Sequence, residues 1–313
     1  MDKENFIVYG YLASWKNPEG WTIDKINWNA LTHIVDSFLI PLLDASIDLS
    51  TTRKLKLCEI AHKNNVFCNV SIGGAKHSDN FSKIASDFNL RKNFIKNIIE
   101  ILKKYNYDGI DIDWEFPDKN DKKNFMNLMK ELYYEIKNSK LKTYNNTEPF
   151  VTFFTTTGLY DDGVKWDEIG NYCDYAIQSG YDWNNPYNAP LRNTGKIKTE
   201  AGEIIENSID GFAKSIISRG FPKEKFILGL PFYSRPSGIN YGKIKEGKFL
   251  RYDELQAEGA YQFDGKIEYF SDIRGFKEKI HYVKEQKRPG IAIWDVSMIY
   301  PENDLWDVII CNK

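Results

Sequence analysis

The sequence predicts an α/β fold, specifically a (β/α)8 TIM barrel, and three observations carry that reading. Short apolar runs rich in β-branched and aromatic residues alternate with longer amphipathic stretches, the rhythm of repeated βα units. Eight such runs fall within 313 residues, a length that one barrel with insertions absorbs. A doubly wound open sheet would want a Gly-rich phosphate turn after an early strand, and Gly73-Gly74 lacks the third glycine.

The strand candidates, in order, are Phe6 to Ala13, Leu31 to Ile40, Val66 to Ile72 and Gly109 to Trp114, followed by Phe150 to Thr156, Tyr175 to Ser179, Phe226 to Leu230 and Gly290 to Trp294. Helical segments between them are Thr52 to Asn64, Leu90 to Tyr105, Asp121 to Asn138, Glu200 to Arg219 and Asp272 to Gln286. Several end on Asn or Gly, residues that tolerate the turn closing a helix. Residues 237–269 break the rhythm, being rich in Gly, Lys and Tyr without a helical period, and are expected to form an inserted loop or small β subdomain between the seventh and eighth strands. The reading is a single catalytic barrel over 1–313 with that short insertion.

With 42 Lys+Arg against 44 Asp+Glu in mixed order, the chain has no basic face fit to hold a phosphate backbone, and nucleic acid is not an expected partner. No window reaches 18 consecutive apolar residues, so no membrane span is expected. The start, Met1 to Asn5, leads straight into an apolar strand; the protein is expected in the cytoplasm, or secreted or at the cell surface if a signal segment was trimmed. The cysteines Cys58, Cys68, Cys173 and Cys311 have no CxxC spacing, and neither a metal nor another cofactor is expected. Buried thiols are the simple reading, with Cys58 and Cys68 able to meet as a helix and its following strand. A monomer is expected.

The most informative stretch runs from Asp108 to Pro117. Asp111, Asp113 and Glu115 are spaced by two residues, so on a strand they share one face while Ile110, Ile112 and Trp114 share the other. In a barrel the apolar face meets the helices and the acids point inward, where they cannot all ionise cheaply; at least one should hold a proton near neutral pH. A protonated carboxylic acid is what a general acid needs. An edge strand with its acids in water is the competing reading, and the helical segments on both sides argue against it. A calcium loop of the EF-hand type is also disfavoured, because isoleucines fill the gaps between the acids.

Asp108 to Glu115 resembles the DxxDxDxE signature of glycoside hydrolase family 18, the chitinases and related endo-β-N-acetylglucosaminidases. Further matches follow around the barrel. Gly10-Tyr11 ends the first strand, Ser71-Ile72-Gly73-Gly74 is similar to the family's SxGG, and Tyr181-Asp182 to its YD pair. Leu228 to Arg235 resembles the seventh strand and Trp294 the aromatic of the eighth. The resemblance implies a retaining endo-glycosidase that hydrolyses β-1,4-linked N-acetylglucosamine oligo- or polysaccharides, chitin or chitooligosaccharides, by substrate-assisted catalysis, the exception to the two-carboxylate rule. Glu115 would protonate the glycosidic oxygen, and Asp113 would orient the substrate's 2-acetamido group and offset the oxazolinium charge. Asp111 would share a proton with Asp113, helped by Ser71 and Tyr11. Tyr181 would bond the acetamide carbonyl, Asp182 would contact the sugar near the cleaved bond, and Trp294 would floor it. Arg235 is a further candidate for sugar hydroxyls or an internal carboxylate, and Trp15, Trp183 and Tyr233 for stacking. Simpler roles compete: barrel packing for Trp294 and Tyr11, a tight turn for Gly73-Gly74, and a surface charge for Arg235.

Departures from the family pattern bear on substrate. Ala75-Lys76 follows the paired glycines where many chitinases place an aromatic platform, which puts leaving-side stacking in doubt. Ser179 stands where Met is common, and the insertion of about thirty residues is short, which predicts a shallower groove. Peptidoglycan and protein-linked glycans are therefore alternatives to chitin, and a non-catalytic chitin-binding lectin is the reading from another class. The presence of Glu115 favours an enzyme.

Overall fold

The computed structural model describes residues 6–15, 18–156, 158, 160–183, 186–193 and 195–313. Eight parallel strands form a closed barrel: β1 Ile7–Ala13, β2 His33–Pro41, β3 Phe67–Gly73, β4 Gly109–Asp113, β5 Phe150–Thr155, β6 Tyr175–Gln178, β7 Phe226–Pro231 and β8 Gly290–Trp294. The pairing runs β1 to β8 in sequence order and closes between β8 and β1, whose register sets Ile7 opposite Gly290. All eight predicted strands are present.

Alternation along β4 sorts its side chains as the sequence implied. Ile110 and Ile112 are fully buried under the flanking helices, and just beyond the strand Trp114 stacks on Phe81 with centroids 5.3 Å apart. The barrel's lower end is filled by aromatics: Tyr9 lies flat on His33 at 4.1 Å, and His33 meets Phe67 at 4.9 Å and Phe150 at 4.8 Å. Burial drives the His33 imidazole down to about 3, so it packs as a neutral ring. This plug leaves the opposite, C-terminal end of the strands as the open mouth.

Helix boundaries differ from expectation where side chains take the backbone's hydrogen bonds. The first long helix spans Leu55–Lys63 rather than starting at Thr52. Asp36 Oδ2 accepts the Arg53 N–H at 2.7 Å and the Lys54 N–H at 3.0 Å, and Lys54 has φ 55°, so the helix cannot begin earlier. The expected helix from Glu200 to Arg219 is corrected to Ile209–Ser218. Ser208 Oγ accepts the Gly211 N–H at 3.1 Å and caps it, while Ile204–Glu206 pairs antiparallel with Lys196–Lys198 as a hairpin. The helices Phe88–Tyr105, Lys122–Asn138 and Ile273–Glu285 fall within two residues of expectation.

Two further helices, besides that hairpin and shorter pieces such as Ile47–Asp48 and Trp166–Ile169, escaped the sequence reading. A helix, Asp304–Asn312, packs Trp306 edge-on to Phe232 at 5.3 Å; its buried Leu305, Trp306, Val308 and Ile309 were the missed signal. A short helix, Phe81–Ser86, precedes Phe88–Tyr105. Within 237–269 and just past it lie a turn of helix, Tyr241–Ile244, and three antiparallel strands, Lys248–Asp253, Glu258–Phe263 and Lys266–Phe270. Among the described residues no helix is long and apolar enough to cross a membrane.

Candidate active site

Register across the barrel assembles the centre of the site. Asp111 on β4 lies opposite Ser71 on β3 and Thr152 on β5, and all three side chains point inward. Asp111 Oδ2 accepts from Ser71 Oγ at 2.8 Å and Tyr11 Oη at 3.0 Å, and its Oδ1 accepts from Thr152 Oγ1 at 2.7 Å. Burial raises the Asp111 carboxyl, and the three hydroxyl donors pull the other way. Thr152 was missed by sequence reasoning. The alternation of β5 marks it as inward, but only the register shows that it faces Asp111.

One step up the strand, Asp113 is buried and hydrogen-bonded to Glu115. Burial pushes its carboxyl well above the usual range, and the neighbouring charges of Glu115 and Asp111 add to this. Its Oδ1 has no hydrogen-bond partner among the described residues. Glu115 is pushed up to about 7, first by burial and further by the Asp182 charge, against the hydrogen bonds from Asp113 and the Ala75 N–H. The pair therefore holds protons near neutrality and titrates together.

The glycines after β3 set this geometry through the backbone. Gly74 N–H donates to the Asp113 carbonyl at 2.7 Å, and Ser78 Oγ donates to that same carbonyl at 3.2 Å while accepting the Glu115 N–H at 2.9 Å. Gly73 has φ +110°, and a Cβ there would lie 2.2 Å from the Asp113 carbonyl oxygen. G73A is therefore expected to lower the melting temperature by several degrees and to cut turnover along with it, since the Asp113 backbone must move. A thermal melt beside an activity assay checks this; a melt within a degree or so of the parent would show that the contact is not tight.

A cleft of about 760 Å³ opens above these acids. Trp294 stacks on Phe38 at 5.6 Å and lies 6.2 Å from Trp15, giving one aromatic wall from β8, β1 and β2. Tyr181 and Trp183 from the loop after β6 form another side, joined by Ile197 of the hairpin and by Asn207 just past it. The sequence placed leaving-side stacking in doubt because Ala75 and Lys76 replace an aromatic. Both line the cleft, and beside Glu115 a different aromatic pair does so too: Phe116 stacks on Tyr160 at 5.6 Å. Phe38 and Tyr160 carried no sequence signal. The peptide bonds Ser37–Phe38, Glu115–Phe116 and Trp294–Asp295 are cis.

Of the residues singled out from sequence, Asp113, Glu115, Gly74, Tyr181, Asp182, Trp294, Trp15 and Trp183 line the cleft. Tyr11, Ser71 and Gly73 sit beneath it, in contact with Asp111 or Asp113. Arg235 and Tyr233 face Asp182, whose Oδ1 accepts from Tyr233 Oη at 2.5 Å and from Arg235 Nη2 at 2.6 Å. Cys58 and Cys68 are buried free thiols with sulfurs 3.0 Å apart.

A closed βα barrel whose mouth holds a proton-carrying glutamic acid over buried aspartates, beneath a cleft walled by aromatic rings, has the make-up of a glycoside hydrolase. The family model described as glycosyl hydrolases family 18 matches residues 7–298, and the chain belongs to that family. Among curated relatives it is 28% identical to a probable chitinase 2 of Drosophila melanogaster, over 93% of this chain and 71% of that protein. It covers 64% of an endochitinase 1 of Metarhizium robertsii and 65% of a chitinase-like effector of Moniliophthora roreri, so it spans about two thirds of the length of these relatives. Among solved structures, a family 18 N-acetylglucosaminidase of Paenibacillus barengoltzii superposes with TM-score 0.84 at 22% identity, covering 99% of this chain and 100% of that one. A chitinase-like agglutinin of Robinia pseudoacacia superposes with TM-score 0.82 at 21% identity, covering 97% and 98%. The fold thus serves proteins described as enzymes and as agglutinins.

Proposed function

We propose that this chain hydrolyses β-1,4-linked N-acetylglucosamine polymers, chitin and its oligosaccharides first, with retention and with the substrate's own acetamide as nucleophile. The observation that carries the reading is the buried Asp113 carboxyl beside Glu115 in the cleft, its Oδ1 without a hydrogen-bond partner among the described residues. Glu115 delivers its proton to the glycosidic oxygen as the bond to the anomeric carbon breaks. The acetamide carbonyl oxygen, held by Tyr181, forms the new bond to that carbon. Asp113 accepts the acetamide N–H and offsets the positive oxazolinium ion. Water then opens the ion, the Glu115 carboxylate takes its proton, and the product keeps the β configuration.

Support for substrate assistance also comes from what the other acid is doing. Asp113, Glu115 and Asp182 are the carboxylates lining the cleft among the described residues, and Asp182 is held by Tyr233 and Arg235. Asp182 is thus committed to those two side chains, and Asp113 is the acid placed to receive the acetamide N–H. The chitinase names of the curated relatives support the substrate class. Peptidoglycan and protein-linked glycans keep the same chemistry, and a product profile across the three substrates separates them.

Digestion of partially deacetylated chitosan tests the mechanism. New reducing ends are expected to be almost all N-acetylated and initially β by NMR, because a glucosamine just before the cleaved bond has no carbonyl oxygen to displace the leaving group. Frequent glucosamine reducing ends, or an initial α anomer, would refute it. Binding without any cleavage of the three substrates would favour the lectin reading.

A further inference from the structure

The three-stranded sheet inserted between β7 and β8 reaches the active site through a buried carboxylate. Glu258, the first residue of its middle strand, is fully buried. Its Oε2 accepts the Asn188 N–H at 2.8 Å and its Oε1 accepts the Ala189 N–H at 3.0 Å. Lys279, from the helix Ile273–Glu285, is equally buried, with Nζ 3.8 Å from Oε1 and donating to the Ala257 carbonyl at 3.1 Å. A buried ion pair contributes little net stability, and this one directs both carboxylate oxygens at consecutive N–H groups of one loop.

That loop returns to the catalytic residues. The Asn188 side chain is buried, accepts the Asp182 N–H at 3.0 Å on Oδ1, and donates from Nδ2 to the Tyr233 carbonyl at 2.7 Å. The Asn188 carbonyl accepts the Trp183 N–H at 3.2 Å. The two N–H groups that follow Tyr181 therefore both end on Asn188. Asp182 has φ 62°, a conformation a non-glycine residue keeps only when its surroundings hold it.

We propose that Asn188, seated on the Glu258–Lys279 pair, is a positioning residue that fixes Asp182 and so sets the charge facing Glu115 across the cleft. The inserted sheet is then part of the catalytic scaffold as well as of the outer wall. Glu115 is faced by Asp113 beside it, Asp111 beneath it, and Tyr181 and Asp182 from the loop after β6. Lys76 and His77 enter the cleft from the loop after β3, and Asp182 is itself met by Tyr233 and Arg235. Of these, Asn188 holds the backbone of Asp182 through its N–H and that of Tyr233 through its carbonyl, and Tyr233 Oη in turn donates to the Asp182 carboxylate.

The test follows the Glu115 carboxyl by 13C NMR in glutamate-labelled protein, assigned by its loss in E115Q, with a thermal melt on every variant. N188A and D182N are each expected to lower the Glu115 midpoint by about half a pH unit or more, because Asp182's negative charge is displaced or removed. The double variant should shift no further than D182N alone, since Asn188 acts through Asp182. Additive shifts, or no shift in a folded N188A, would overturn the proposal. E258Q/K279M, which replaces the ion pair by neutral side chains of similar size, carries the test if N188A does not fold: a lowered midpoint is expected, and an unmoved one overturns it. The inference rests on the proposed reaction only in its kinetic arm, where the alkaline limb of kcat/KM should move with the NMR midpoint. A wild-type protein that cleaves nothing would end the proposed reaction, while the titration still decides the role of Asn188.

Discussion

Glu115→Gln is expected to reduce kcat on chitooligosaccharides by at least about a hundredfold, while the melting temperature and oligosaccharide affinity stay near those of the parent. The amide has almost the same shape and can still bond Asp113, but it has no proton to give the leaving oxygen, and general acid catalysis is worth about 10²–10⁴ in rate. The pH profile supplies a second readout. Glu115 is pushed up to about 7, so it holds its proton below that value and loses it above. Parent activity should therefore fall as pH rises through about 7, and this alkaline limb should vanish from whatever activity the variant retains. Steady-state kinetics across pH, isothermal titration with a chitooligosaccharide and a thermal melt make the measurement. A variant turning over near the parent rate would remove Glu115 from the role of acid.

Asp113→Asn is expected to cost about 10²–10³ in kcat, the share that one preorganised electrostatic group commonly supplies. The substituted amide would still fill the space beside Glu115, but it cannot carry the negative charge that opposes the oxazolinium ion. Its effect on stability should run the other way. Burial raises the Asp113 carboxyl in the folded protein, so its ionisation opposes folding, and that stability is lost as pH rises through the folded value. The Asn variant should therefore lose less stability than the parent between weakly acidic and weakly alkaline pH. Melts across that interval, paired with kcat, check both halves. A variant with parent-like kcat, or a pH dependence of stability identical to the parent's, would argue against a buried acid working with Glu115.

Much of the barrel was legible in the sequence because each strand is an apolar run of the right length, and burial on both faces writes itself into residue type. The acid ladder was legible for a related reason. A polar residue at every second position of an otherwise apolar strand can point only one way when the other face meets helices, so Asp111, Asp113 and Glu115 announced both their common face and their shared protons. Boundaries were harder to read. Between Glu200 and Ser208 the composition suits a helix, yet the chain forms a hairpin because the Ser208 cap starts the helix late and Ile204–Glu206 finds a partner in Lys196–Lys198. The helix at Leu55 is likewise delayed by the distant carboxylate of Asp36.

By itself, then, the sequence determined the barrel, the inward-facing row of Asp111, Asp113 and Glu115, and the aromatic Trp294 at the mouth. Tertiary structure alone decided who meets them: Thr152 on Asp111, Ser78 on the Glu115 N–H, Phe38 against Trp294, and Glu258 reaching across through Asn188 to Asp182. The physical reason is that periodicity along one strand reports which face is buried, while the partner across the barrel is set by the register of closure and by loops whose ends lie some 70 residues apart, as from Asn188 to Glu258. No local pattern encodes that distance.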